Sequence, residues 1–145
     1  MKPINEMKLS FEGRSCNEGF ARSAVAAFVA VLDPNMEELS DIKTAVSEAV
    51  TNCIVHGYRD KIGTVYIHVK IFEDARVSIN IKDRGCGIED VKKAMEPLFT
   101  TCETGERAGL GFSIMGSFMD KLRVRSKPDR GTSVTLEKTI VSKGK

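Results

Sequence analysis

No apolar run in this 145-residue chain approaches the ~20 residues that a membrane-spanning helix requires. The opening MKPINEMKL has no apolar stretch of the signal-peptide kind, so the sequence reads as that of a cytoplasmic protein. An excess of one charge is also missing. The 22 basic and 20 acidic side chains leave a formal +2, so neither nucleic acid nor an anionic membrane surface is an expected direct partner. The four cysteines (Cys16, Cys53, Cys86 and Cys102) form no C-x-x-C pair and have no histidine at metal-ligand spacing. Free thiols are therefore expected, without a zinc or redox role. The chain lacks G-x-x-x-x-G-K-[ST], H-R-D and D-F-G, which excludes P-loop enzymes and kinases of the eukaryotic type. It shows no internal repeat and no linker, so residues 1–145 are expected to form one domain.

What is present suits an ordinary globular core, with 41% hydrophobic and 29% charged residues. Alternation over Glu6 to Phe11 predicts a short strand. The Ala-, Val- and Phe-rich run Ala21 to Leu32 predicts a largely buried helix, stopped by Asp33-Pro34. Leu39, Ile42, Val46, Ala49, Val50 and Cys53 follow a helical stripe and predict a second helix from about Met36 to His56. Gly57 is then placed as a left-handed cap. Alternating β-rich segments predict strands at Thr64 to Phe72 and Arg76 to Lys82, turning at Glu73-Asp74. A poorly patterned stretch from Glu89 to Arg107 precedes a helix at about Leu110 to Asp120. Two further strands are expected at Leu122 to Ser126 and Thr132 to Thr139, joined by Pro128-Asp129-Arg130-Gly131. The tail from Ser142 to Lys145 is expected to fray. The architecture that follows is an α/β (α+β) two-layer sandwich, with a mostly antiparallel mixed sheet and helices on one face.

Three segments carry chemistry. EAVTN and the following His56 put Glu48, Asn52 and His56 four residues apart, on one face of a helix. An amide oxygen from Asn52 with phosphate oxygens would suffice for Mg²⁺, and Glu48 one turn away is placed to accept a proton. DRGCGI puts Asp83 at a strand end, where it can accept from an exocyclic amine. Gly85 and Gly87 there allow close approach of a flat base. TGERAGLGF leads into a helix start, where backbone N–H groups of Gly109, Leu110 and Gly111 favour phosphate and Arg107 adds positive charge. The long stretch before it has the length of a lid, from which Thr100 and Thr101 offer hydroxyls. Thr132, after Gly131, places a hydroxyl toward the base side. Each segment alone also fits a plainer reading: a polar helix face, a turn after a strand, a loop capping a helix, or simple strand propensity at Thr132. Their order within one small domain favours a nucleotide site.

These boxes and the final G-T strand resemble the ATPase superfamily of gyrase, Hsp90, histidine kinases and MutL, and the resemblance covers nearly the whole chain. DPNMEELSDIKTAVSEAVTNCIVHGY, EPLFTT and GFSIMGSFMD are most similar to the anti-sigma-factor serine kinases, in particular those of sporulation, the anti-sigma-F group. The resemblance implies the Bergerat-type ATP-binding fold, with ATP or ADP and Mg²⁺ as cofactors. It implies a homodimer that holds a sigma factor of the sigma-F type and phosphorylates a serine of an anti-anti-sigma protein. Glu48 becomes the general base, Asn52 the Mg²⁺ ligand and Asp83 the adenine acceptor, with Gly85, Gly87 and Ile88 around the base. Thr100 and Thr101 fall in the lid; Arg107, Ala108, Gly109, Leu110 and Gly111 form the phosphate loop, where Arg107 is catalytic. Thr132 completes the adenine pocket, His56 and Gly57 lie near the nucleotide, and Arg22 is a partner contact. Cys86 stands where bulkier apolar residues are common, and Cys102-Glu103 replaces a basic or proline-containing lid. Three other readings stay open at this level. They are a general-stress kinase with the same chemistry, a histidine-kinase catalytic module, and a non-catalytic module gated by nucleotide.

Overall fold

The computed structural model describes residues 1–88, 91 and 108–141. Strand β1 spans Asn5–Glu12, helix α1 Glu18–Val29, helix α2 Met36–Asn52, β2 Thr64–Ile71 and β3 Arg76–Asp83. Helix α3 spans Ala108–Phe118, followed by β4 at Lys121–Lys127 and β5 at Gly131–Thr139. The five strands form one sheet in the order β1-β2-β3-β5-β4. Every described strand pair is antiparallel, so the expected mixed character is absent among the described residues. The helices cover one face, α1 and α3 each packing on α2. No described helix is long and apolar enough to cross a membrane.

Local sequence explains each element. In β2 the residues Val65, Ile67, Val69 and Ile71 are buried while their neighbours are only half-covered, as the pleat requires. Val77, Ile79 and Ile81 do the same in β3. Burying each such aliphatic side chain favours the fold by about 1.5–3 kcal/mol. Helix α2 buries Ile42, Ala45, Val46, Ala49 and Val50 against them, a stripe of helical period. Its start is a capping box: the Asn35 side chain accepts from the Glu38 N–H at 2.7 Å, and Glu38 Oε1 accepts from the Asn35 N–H at 3.1 Å. The other Glu38 oxygen accepts from the Val141 N–H at 2.9 Å, which fastens the segment after β5 to the start of α2.

Two expectations change. The second helix keeps α geometry only to Asn52, and Cys53–Gly57 continues it as a π-type turn with wider hydrogen-bond spacing. Gly57 is therefore part of that turn rather than a left-handed cap; the positive-φ glycines among the described residues are Gly87 and Gly131. The first helix starts earlier than its apolar run suggests, at Glu18, and tightens into a 3₁₀ turn over Ala30–Leu32. Thr100, Thr101, Cys102, Glu103 and Arg107, with most of the stretch from Glu89 to Arg107, lie outside the described residues, as does the tail from Ser142.

One topological step positions everything that follows. After β3 the chain returns at the sheet edge as β4 and turns back, so that β5 inserts between β4 and β3. Asp83, the last residue of β3, is thereby paired with Thr132, near the start of β5. Asn35→Ala should lower stability by about 1 kcal/mol, the usual worth of an N-cap. Urea unfolding checks this, and an unchanged midpoint would mean that the capping box contributes nothing net.

Candidate nucleotide site

The end of β3, the end of β5's first turn of strand, α2 and α3 enclose a cleft on the helix-covered side of the sheet. Asn52, His56, Gly57, Asp83, Gly87, Ile88 and Thr132 all line it, together with Phe112. Seven of the expected positions thus converge. Glu48 lies one step away, lining a neighbouring groove between α1 and α2 that also holds Arg22.

Asp83 is the centre of the inner end. Its side chain is almost wholly buried, with 3% of the residue exposed. Oδ1 accepts from the Gly85 N–H at 2.9 Å and the Thr132 N–H at 3.2 Å, and the Cys53 thiol lies beside the same carboxylate. Burial pushes the Asp83 carboxyl above the usual range, and these donors hold it back down. Burial, then the adjacent Asp83 charge, drives the Cys53 thiol well up, so Cys53 stays a neutral thiol and not a nucleophile. Oδ2 presses on the π-type turn: a Cβ built on Gly57 would stand 2.7 Å from it. Close approach, not backbone handedness, is what demands glycine at 57. Gly85 is buried against the Gly57 carbonyl in the same manner, and the Cys86 N–H donates to that carbonyl at 2.9 Å. Gly87 needs its residue type for a second reason, a φ of +76° with no room for a Cβ beside Lys127.

Thr132 and Ile88 are joined by a residue that the sequence did not single out. Ser126 Oγ accepts from the Ile88 N–H at 2.8 Å and donates to the Gly131 carbonyl at 2.9 Å. Its one proton is therefore used, and the Thr132 hydroxyl must donate in their 2.8 Å contact. Toward the cleft, Thr132 is left as an acceptor. No spacing rule marks Ser126; only the β4–β5 register, which pairs it with Thr132, brings it in. Tyr58 is the other unforeseen support. Its hydroxyl accepts from the Arg84 N–H at 2.6 Å and donates to the Thr64 carbonyl at 2.7 Å, tying the DRG segment to β2.

At the outer end, α2 meets the first turn of α3 at Gly111. A Cβ there would lie 3.3 Å from both Asn52 Nδ2 and Glu48 Oε2, so a side chain at 111 would crowd the two polar groups. Asn52 Nδ2 is buried and has no hydrogen-bond partner among the described residues. Ala108, Gly109, Leu110 and Gly111 are the first four residues of α3, whose N–H groups have no intrahelical acceptor. Glu48 is half-buried; burial first, and the charge of Glu18 second, raise its pKa. Arg22, in the groove between α1 and α2, lies 3.4 Å from Glu18 and 3.5 Å from the Ser47 hydroxyl.

Asp83 gives a pH test whose sign is set by its burial. A carboxyl with a raised folded-state pKa adds stability at low pH and loses it as pH rises through that pKa. Wild-type stability measured against the non-titrating Asp83→Asn variant should therefore decline as pH rises across the carboxylate range. Denaturant unfolding at several pH values checks this; a rising difference would show that the fold favours the ionised form.

The histidine kinase-like ATPase domain family matches residues 17–138. A Thermoanaerobacter protein named anti-sigma F factor is 55% identical over 142 residues, 98% of this chain and 99% of its own. Proteins of the same name from Caldanaerobacter subterraneus and a Geobacillus strain are 57% identical over 140 residues and 56% over 137, covering 97% and 93% of their own lengths. Among solved structures, the RsbU and RsbW domains of a Mycobacterium tuberculosis protein align over 95% of this chain and 33% of that one, with a TM-score of 0.69 at 18% identity. The mycobacterial sensor histidine kinase MprB aligns over 93% of this chain and 100% of its own, at 0.57 and 16%. These last likenesses are of fold. The chain thus belongs to the anti-sigma F factors, within the family of histidine kinase-like ATPase domains, whose match implies nucleotide binding.

Proposed function

We propose that this protein is an ATP-dependent anti-sigma factor and serine kinase of sporulation, active as a homodimer. It holds a sigma factor of the sigma-F type and inactivates an anti-anti-sigma protein by phosphorylating one of its serines. The observation that carries this reading is the convergence of Glu48 and Asn52 on the first turn of α3, beside a cleft that ends at Asp83.

The inner end suits adenine. Asp83 Oδ2 is the carboxylate oxygen without a backbone donor, and the Thr132 hydroxyl is acceptor-only toward the cleft. Two acceptors match the 6-amino group of adenine and oppose the 6-oxo group of guanine. Ile88 and Phe112 supply apolar walls for the ring faces. The α3 N-terminus then receives phosphate oxygens, with Arg107 immediately before it in sequence.

The donor set at the outer end suits Mg²⁺. Among the described residues no cluster of three or more His, Cys, Asp or Glu side chains could cage a metal. The Asn52 amide faces Gly111, its oxygen 3.4 Å from where a Cβ there would stand, and is the kind of neutral oxygen ligand that leaves most of the shell to water and phosphate. The Asn52 amide oxygen would hold a bound Mg²⁺, which would supply neutralisation of phosphate charge there. Glu48, whose pKa is raised by burial and by the charge of Glu18, takes the proton of the incoming serine hydroxyl. The serine oxygen bonds to the γ-phosphorus as the bond to the bridging oxygen breaks, leaving ADP. Arg107 stabilises the charge on the transferring group.

Glu48→Gln should keep ATP binding and lose transfer by roughly 10²–10⁴-fold, the usual weight of a general base. Radiolabelled γ-phosphate transfer to a serine-bearing anti-anti-sigma protein reads this directly, and wild-type transfer in the variant would remove Glu48 from the role. Asn52→Ala should weaken ATP binding in the presence of Mg²⁺ but change it little with chelator present. Calorimetric affinities equal to wild type under both conditions would rule out the ligand role.

A further inference from the structure

Ser126 interrupts an apolar pattern. On β4, Leu122 and Val124 pack on the core, and Ser126 is the next residue in that alternation. A third aliphatic side chain there would extend the stripe without covering a hydroxyl. The serine instead stands where the segment after Asp83 crosses the β4–β5 hairpin. At that crossing the Asp129 N–H donates to the Cys86 carbonyl at 2.7 Å, and a Cβ on Gly87 would press on the Lys127 carbonyl. Ser126 is half-buried there, and its hydroxyl has three partners: the Ile88 N–H, the Gly131 carbonyl and the Thr132 hydroxyl.

Those three contacts use the whole capacity of one hydroxyl, a proton and two lone pairs. The Ile88 N–H can only donate and the Gly131 carbonyl can only accept, so one lone pair serves Ile88 and the proton serves Gly131. The second lone pair is left for Thr132, whose hydroxyl proton is thereby turned away from the cleft that Thr132 lines. The Thr132 backbone is fixed separately, its N–H donating to Asp83 Oδ1 at 3.2 Å. Without the Ser126 oxygen, the Thr132 hydroxyl would be free to rotate and could donate into the cleft as readily as accept. A donor there would suit a purine 6-oxo group, just as an acceptor suits a 6-amino group.

On the reading that adenine occupies the inner end, we propose that Ser126 is the positioning residue that sets base selectivity, by holding the Thr132 hydroxyl as an acceptor toward the 6-substituent of the purine. Titration calorimetry of the full chain with Mg²⁺ compares ATP with ITP, whose purine carries a 6-oxo group in place of the 6-amino group. Wild type should bind ATP the more tightly. Ser126→Ala should narrow that preference by about threefold to tenfold, the usual worth of one neutral hydrogen bond. Ser126→Thr, which keeps the hydroxyl, should retain the wild-type ratio. In a Thr132→Val background no hydroxyl remains to be oriented, so adding Ser126→Ala should leave the ratio unchanged. If Ser126→Ala does not fold by far-ultraviolet circular dichroism, Ser126→Cys should narrow the preference in the same direction, because a thiol fills the space but accepts weakly. Equal weakening of ATP and ITP in Ser126→Ala would overturn the proposal, since a residue that only supports the Ile88 backbone costs both nucleotides alike. So would a ratio that narrows as much in the Thr132→Val background. Equal binding of ATP and ITP by wild type would instead overturn the adenine assignment, and the role of Ser126 with it.

Discussion

The cleft depends on one buried carboxylate. Asp83 ends a central strand inside the protein, where an ionised group is expensive unless its oxygens are occupied. The occupants come from two places, the Gly85 N–H in the following turn and the Thr132 N–H on β5, while the π-type turn packs against the other oxygen at Gly57. Meeting that single requirement fixes the mutual positions of β3, β5, the DRG segment and the end of α2. The bare Gly57 then follows from the lack of space beside Oδ2. A methyl group at 57 would push the carboxylate away from the very donors that make its burial tolerable.

The two ends of the cleft are built differently. Around Asp83 the groups are interlocked by backbone and hydroxyl bonds, through Ser126, Tyr58 and the Gly57 carbonyl. At Gly111 the arrangement is a meeting of two helices beside the polar heads of Glu48 and Asn52, and Asn52 Nδ2 has no hydrogen-bond partner among the described residues. An inner end whose backbone is fixed by hydrogen bonds, with Asp83 Oδ2 and the Thr132 hydroxyl left as acceptors, suits recognition of a flat base of fixed shape. An outer end with spare donors and acceptors suits phosphate, metal and a second protein's hydroxyl. The raised pKa of Glu48 arises from this same outer position, half-buried and near Glu18.

Much of this was legible along the chain because periodicity and capping are local properties. The α2 stripe, the alternation in β2 and β3 and the pattern of glycines each follow from residues within a few positions of one another. Glu48 and Asn52 were readable as neighbours since one α-helical turn separates them. His56 was readable only by assuming that the same turn continued, whereas the chain widens into a π-type turn at Cys53 before reaching it. Gly57 was recognised as a position needing glycine, yet for the wrong reason: its constraint comes from Asp83, 26 residues downstream, and not from its own φ.

Composition, element types, helical faces and the family likeness were determined by sequence alone, because they rest on short-range spacing and on residue chemistry. Tertiary structure decided the rest, because β pairing joins residues far apart in the chain. The insertion of β5 between β3 and β4 is what sets Thr132 against Asp83 and Ser126 against Thr132.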